Sequence, residues 1–248
     1  MKIIKFTKKK DGMYSLLLED DDVILVHEDL ILKYGLLLSK DISSDVRDKI
    51  EGENLNYTAK TVVLKYITTR FRSEKEVREH LKKKGVDKDI IDIVVDSLKK
   101  ENYINDELFT DMFINDKINL TMEGPSKIIK ELNELGIRGD IIIDKMDKYT
   151  DDIEIEKINK IIDKQIKSNH NKSNFILKNK IHNYLVNNGY SSTLSSQCLN
   201  SKTFDSDKDL AKKEYDKLYK KYKDKYSDSE LEYVIKQKMY QKGFGTFE

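Results

Sequence analysis

The sequence predicts a mostly α-helical protein made of tandem three-helix repeats, with a small β-hairpin-containing module at its N-terminus. Three observations lead there. From about residue 57 onward, apolar residues recur at helical spacings of three and four. One proline and ten glycines interrupt 248 residues of which 37 % are charged, a composition of water-facing helices rather than of disorder. A single helix-ending signature returns four times along the chain. Repeats of this kind bury their faces against one another and are expected to build an elongated, curved array.

The first module spans 1–56. Lys2 to Lys8, Met13 to Glu19 and Val23 to His27 are short, partly alternating stretches broken by Asp11-Gly12 and by Asp20-Asp21-Asp22. Asp-Gly between two such runs signals a hairpin, so two or three antiparallel strands are expected, then helices near 28–34 and 43–50. So small a sheet needs a packing partner and is expected to rest on the helices C-terminal to it.

The repeats are divided as 57–105, 106–150, 151–203 and 204–248. Their shared signature is an apolar residue, three variable ones, Gly, and a second apolar residue: Leu81 to Gly85-Val86, Leu132 to Gly136-Ile137, Leu185 to Gly189-Tyr190, and Met239 to Gly243-Phe244. Glycine takes the left-handed conformation that closes a helix, and the next apolar residue folds back on the last turn. In the first repeat, helix A carries Val62, Val63, Tyr66, Ile67 and Phe71. Ser73-Glu-Lys-Glu76 is a capping box opening helix B with Val77 and Leu81. Ile90, Ile91, Val94, Val95 and Leu98 mark helix C.

The second repeat places Leu108, Phe109, Met112 and Phe113 on A. Pro125 opens B, with Ile128, Ile129 and Leu132 on its apolar face, and Ile141, Ile142 and Met146 come next on C. In the third, Ile158, Ile161, Ile162 and Ile166 mark A, and Ile181, Tyr184 and Leu185 mark B. Helix C is expected near Ser192 to Asn200 despite its Ser and Thr content. In the fourth, a tyrosine stripe (Tyr215, Tyr219, Tyr222, Tyr226) reads as the core face of A. A second capping box, Ser227 to Glu230, then precedes Leu231, Val234 and Ile235. No third helix is expected after Gly243.

Catalytic chemistry finds little support. His27, His80, His170 and His182 form no metal-ligand spacing, so no metal is expected. There is no phosphate-binding glycine loop and no nucleophile elbow, so neither a cofactor nor an enzymatic activity is expected. Cys198, the lone cysteine, excludes an intramolecular disulfide and suits a reducing compartment. Met1 to Phe6 lacks the apolar run of a signal peptide, and no stretch could span a bilayer; a cytoplasmic location is expected.

Net charge is only +1, so any affinity for nucleic acid or an acidic partner must come from local patches. Lys160, Lys164 and Lys167 share one helix face, with Lys172, Lys178 and Lys180 beyond and His170 and His182 able to add charge. They could contact phosphates or an acidic surface, or be a solvated face opposite the isoleucines. Lys217, Lys220 and Lys221 flank the tyrosine stripe on its outer side. Arg70 and Arg72 precede a capped helix, where guanidinium groups could reach a partner carboxylate or phosphate, or pair locally with Glu74 or Glu76.

Tyr103-Ile-Asn-Asp106, Leu108-Phe109 and Gly124-Pro125-x-x-Ile128-x-x-Glu131-Leu132-x-x-x-Gly136-Ile137 resemble the RecX regulatory proteins. Arg70-x-Arg72-Ser73-x-x-Glu76-Val77-x-x-x-Leu81-x-x-x-Gly85 resembles that family's opening motif. The likeness covers about residues 57–245. It is looser in repeats three and four, where helix B looks about one turn longer, and His27-Glu28-Asp29 with Lys33-Tyr34-Gly35-Leu36 resembles the extension on longer members. The resemblance implies a modulator of the RecA recombinase that binds the RecA–single-stranded DNA filament and inhibits its assembly and strand exchange. It also implies that single- or double-stranded DNA could be bound directly. This chain often carries Lys where the family has Arg, which puts the strength of bidentate contacts in doubt. A monomer is expected. The rival functions are a DNA-binding helical repeat without filament specificity and a general helical interaction scaffold.

Overall fold

A computed structural model describes residues 1–169 and 171–245. It divides into two compact units, Met1–Asp111 with Asn133–Ile141, and Met112–Leu132 with Ile142–Glu248.

In the first unit, β1 (Ile3–Lys8), β2 (Met13–Leu18) and β3 (Val23–His27) form an antiparallel sheet in the order β1-β2-β3. Asp11 and Gly12 fill the first turn with φ of 61° and 73°. They close Met13 N–H onto the Lys10 carbonyl at 3.2 Å, as the Asp-Gly signal demands. Ile3, Leu16, Leu18, Ile24 and Val26 share one core with Leu30, Ile31, Leu36 and Ile50 from the next three helices and with Ile42 from the link before the third of them. Asn54 covers the β3 edge much as a fourth strand would. Its Nδ2 donates to Leu25 O at 2.7 Å, and its Oδ1 accepts from His27 N–H at 2.9 Å.

Two short helices, α1 (Glu28–Lys33) and α2 (Leu36–Ser39), lead into α3 (Ser44–Ile67). Here the structure corrects the sequence. The helix expected near 43–50 and helix A of the first repeat are one 24-residue helix, unbroken through residues 56 and 57. The physical reason is that α3 serves two cores: Ile50 lies in the sheet core, while Ala59 and Val63 lie in the repeat core. Gly52 alone does not end a helix held at both ends by burial. The helix stops at Ile67, so Phe71 lies beyond it, exposed rather than in the core.

The first repeat continues with α4 (Glu74–Lys83) and α5 (Lys88–Lys100). Ser73 and Glu76 form the expected capping box. Val63, Val77, Leu81, Val95 and Leu98 are fully buried together, each contributing about 1.5–3 kcal/mol of apolar burial.

The second repeat supplies α6 (Asp106–Leu120), α7 (Pro125–Glu134) and α8 (Gly139–Met146), whose residues are divided between the units. On α6 the buried apolar residues are Phe109 and Ile114, whereas Leu108 and Met112 are exposed. This helix is apolar on several sides, so its periodicity does not single out the core face.

The second unit continues with α9 (Asp151–Lys167), α10 (Asn174–Asn187), α11 (Ser192–Ser201), α12 (Lys208–Tyr222) and α13 (Asp228–Gln241). Ile158, Ile161, Ile162, Leu177, Ile181, Leu185, Cys198 and Leu199 make the third core. Tyr184 points outward instead. The fourth core is Ala211, Leu218, Leu231, Ile235, Met239 and Phe244. Tyr215 and Tyr222 flank that core, but Tyr219 and Tyr226 are exposed, so the tyrosine stripe is only half a core face. Ala211 and Leu218 fill the space that a stripe of four rings could not. At 14 residues, α10 and α13 exceed the 10 of α4 and α7 by about one turn.

The glycine signature has a second role. Gly85, Gly136, Gly189 and Gly243 have φ of 79°, 80°, 88° and 74° and close their helices. The last three corners also receive the start of helix B from the preceding repeat. In each, the carbonyl just before the glycine accepts a hydrogen bond: Leu135 O from Ser73 Oγ (2.9 Å), Asn188 O from Gly124 N–H (2.8 Å), Lys242 O from Ser173 Oγ (2.7 Å). An aspartate at the start of the next helix A takes the first amide of helix B in two of these joints. Glu74 N–H donates to Asp106 at 2.8 Å and Asn174 N–H to Asp207 at 2.9 Å. At the joint between them, Pro125 has no N–H to offer. Gly124 replaces the serine there because any Cβ would meet the Gly189 carbonyl oxygen at 2.5 Å. Ser73 and Ser173 are fully buried by this docking.

Candidate functional site

The cations singled out from the sequence fall into three groups with different surroundings. Arg70 and Arg72 lie between α3 and α4, in the first unit. Arg72 is folded inward. Its guanidinium carbon sits 4.1 Å from the centre of the Tyr66 ring, and Tyr66 in turn stacks on His80 at 4.0 Å, nearly parallel. Arg72 Nη1 also lies 3.4 Å from Glu76, with both side chains 14 % exposed. Burial, followed by the charges of Lys84 and Arg72, holds His80 below the ordinary histidine range. Arg70, 54 % exposed, reaches Glu76 at 2.5 Å. The local ion pair therefore forms with Glu76. Glu74 instead takes Arg78 at 2.7 Å and Lys99 at 2.8 Å.

On α9, Lys160, Lys164 and Lys167 share one exposed face, with the isoleucines buried opposite. Lys160 pairs with Glu156 one turn earlier. Asp163, the acid in the middle of this basic stretch, is engaged by Lys202 at 2.7 Å. Lys164 and Lys167 have no ion pair among the described residues, so theirs is the uncompensated charge of the face. Lys172 is exposed in the turn after α9. Lys178 lies over the Phe204 ring at 4.6 Å, and His182 Nε2 is 3.2 Å from Ser192 Oγ. His170 lies outside the described residues.

Lys217, Lys220 and Lys221 are exposed on α12. Lys221 sits 5.3 Å from the centre of the Tyr222 ring, and Tyr219 is stacked on Tyr215 at 6.4 Å.

Two lysines that a polar-outside rule would assign to solvent are internal. Lys157 is buried, donating to Lys117 O at 3.0 Å and Thr121 O at 2.9 Å, where it satisfies the end of α6. Burial and then the charge of Lys160 lower its pKa. Lys117 is held between Glu123 and Glu131, each at 2.5 Å. Burial alone would lower its pKa, but the two carboxylates keep it raised. Tyr149 and Tyr190 clamp the same loop, donating to Glu123 O at 2.9 Å and Met122 O at 3.0 Å. Burial, with Glu154 nearby, pushes the Tyr149 hydroxyl up to about 12. The sequence carried a signal for Lys157: it stands four residues before Ile161, on the apolar face of α9.

Among the described residues no group of His, Cys, Asp and Glu is arranged to hold a metal ion. No helix among them is long and apolar enough to cross a membrane. What the exposed cations offer is electrostatic contact with an anionic macromolecule.

A family model described as the first three-helix domain of RecX matches residues 59–98, which comprise the end of α3, all of α4 and most of α5. The chain is 29 % identical to a regulatory protein RecX of Oceanobacillus iheyensis over 98 % of its own length and 93 % of the relative's. The corresponding protein of Streptococcus sanguinis is also 29 % identical, over 98 % and 95 %. Two crystal structures share the fold. One, of regulatory protein RecX, aligns with TM-score 0.68 at 20 % identity, covering 81 % of this chain and 99 % of that one. The other, of RecX from Lactobacillus salivarius, aligns with TM-score 0.55 at 24 % identity, over 59 % and 95 %.

Proposed function

The chain belongs to the RecX family of regulatory proteins, and from that premise we propose that it binds the RecA–single-stranded DNA filament and holds back its assembly and strand exchange. The observation that carries this is the likeness to regulatory proteins over nearly the whole chain, N-terminal sheet and all four repeats included. Supporting it, Lys164 and Lys167 on α9, together with Lys172, Lys217, Lys220 and Lys221, present exposed positive charge. Lys160 and Arg70 join these contacts by giving up Glu156 and Glu76. Arg72 acts from beneath, fixing the segment that carries Arg70. Action is steric and electrostatic: the helical repeats lie against the filament and their basic faces meet phosphate or acidic protein surface.

The test is the disassembly of RecA from single-stranded DNA with substoichiometric purified protein. Net filament loss or arrested growth is expected, and Lys164→Glu/Lys167→Glu should weaken it while leaving the helical circular dichroism unchanged. No effect on a matched recombinase, with steeply salt-dependent binding to bare DNA, would assign the protein to direct DNA binding instead.

A further inference from the structure

Three times within this chain, the start of a helix B seats the glycine-closed end of a helix from the next repeat. The fourth helix B, α13, has the same start and seats nothing among the described residues. Its N-cap Ser227 is exposed, while Ser73 and Ser173 in the same position are buried. Beside it lies an open hollow of about 360 Å³ lined by Tyr226, Ser229, Glu230, Tyr233 and Val234. By position from the N-cap, Ser229 and Glu230 correspond to Phe175 and Ile176, side chains that the Gly243 corner approaches so closely that a Cβ would lie 3.1 and 2.8 Å from them. Ser229 likewise corresponds to Lys75, which would stand 2.8 Å from a Cβ on Gly136.

The other half of such a joint is also unused. Gly85 is exposed, with nothing among the described residues within 4 Å of where its Cβ would stand, although its φ of 79° and the Val86 N–H bond to Leu81 O (3.2 Å) match the Gly189 and Gly243 corners. Val86 is half-buried where Ile137, Tyr190 and Phe244 are buried. The charges are complementary as well. The Gly85 corner carries Lys82, Lys83 and Lys84, all exposed, and the first turn of α13 carries Asp228 and Glu230.

We infer that the hollow on α13 binds the Gly85 corner of a second copy of this chain, joining copies head to tail through a fourth instance of the internal joint. The Lys84 carbonyl is the acceptor for Ser227 Oγ, which at present donates to Glu230 at 2.8 Å. The lysines face Asp228 and Glu230. Because the two surfaces differ, the contact is heterologous, and assembly is not restricted to a two-fold dimer.

Sedimentation velocity on the full chain over a wide concentration range tests this. The wild type should grow in mean mass with concentration. Ser229→Trp, which fills the hollow, and Lys83→Glu/Lys84→Glu, which reverses the corner, should each weaken self-association by roughly tenfold or more. Both changes are at exposed positions, so circular dichroism should report an intact fold. An equimolar mixture of the two variants keeps one good surface of each kind and should form dimers and nothing larger. A wild type that stays monomeric at high concentration would overturn the inference, as would variants that assemble like the wild type or a mixture that forms no dimers.

Discussion

Alanine substitution at two of the repeat glycines separates the two roles that this position plays. Gly85 and Gly189 have nearly the same backbone, φ 79° and 88°, so alanine at either incurs the left-handed penalty of about 1–2 kcal/mol. Their surroundings differ. A Cβ at Gly85 meets nothing within 4 Å, whereas one at Gly189 would overlap the backbone nitrogen of Lys127 and stand 2.7 Å from its Cβ. Those atoms belong to the first turn of α7 and cannot swing aside as a side-chain tip can. Overpacking of that kind adds about 1–3 kcal/mol. It also strains the bonds from Gly124 N–H to Asn188 O and from Ser126 N–H to Gly189 O. Gly85→Ala should therefore cost about 1–2 kcal/mol and Gly189→Ala about 2–5 kcal/mol. Urea unfolding by circular dichroism measures the difference. Amide exchange should show loosening at residues 121–128 in Gly189→Ala and not in Gly85→Ala. Equal losses in the two variants, or an undisturbed 121–128 segment, would refute the close-approach role of the third corner.

The stacked His80 gives a pH dependence of definite sign. Its folded pKa lies below the unfolded value near 6.5, so its stabilising effect is complete above that pH and is lost as pH falls from about 6.5 through the folded pKa. Stability measured across this range should flatten in His80→Phe; an unchanged profile would show that the histidine contributes nothing to it. Arg72→Ala should destabilise the first unit by about 1 kcal/mol through loss of its stack on Tyr66, while Arg70→Ala, exposed and in a surface pair, should cost under about 0.5 kcal/mol. Equal thermal shifts in these two variants would contradict the inward placement of Arg72.

Local chemistry was enough to read the helices, because their starts and stops are written in adjacent residues. Ser73 with Glu76 opens α4, Gly85 closes it, and the same spacing returned three more times with positive φ at every glycine. The β-hairpin was legible for the same reason, since Asp11-Gly12 permits few other conformations. The candidate contacts were legible in part. Lys164 and Lys167 share the face that their spacing predicts, but whether a nearby acid is left to pair with them depends on residues distant in sequence. Asp163, a neighbour of Lys164 in the chain, is taken by Lys202.

What the sequence by itself determined is the repeat: the order of its helices, the helix ends marked by capping boxes and glycines, and most of the apolar stripes that build the repeat cores. Tertiary structure alone decided which surfaces those units spend on one another. It merged two predicted helices into α3 because one rod packs in two cores, and it turned Tyr219 and Tyr226 outward once Ala211 and Leu218 had filled the fourth. It drew Lys157 inside, where two carbonyls at and just past the end of α6 accept its hydrogen bonds. It also left the Gly85 corner and the α13 hollow without a cover among the described residues, although their local sequences match those of buried counterparts. Periodicity records which face of a helix is apolar; only the packed chain determines which neighbour covers it.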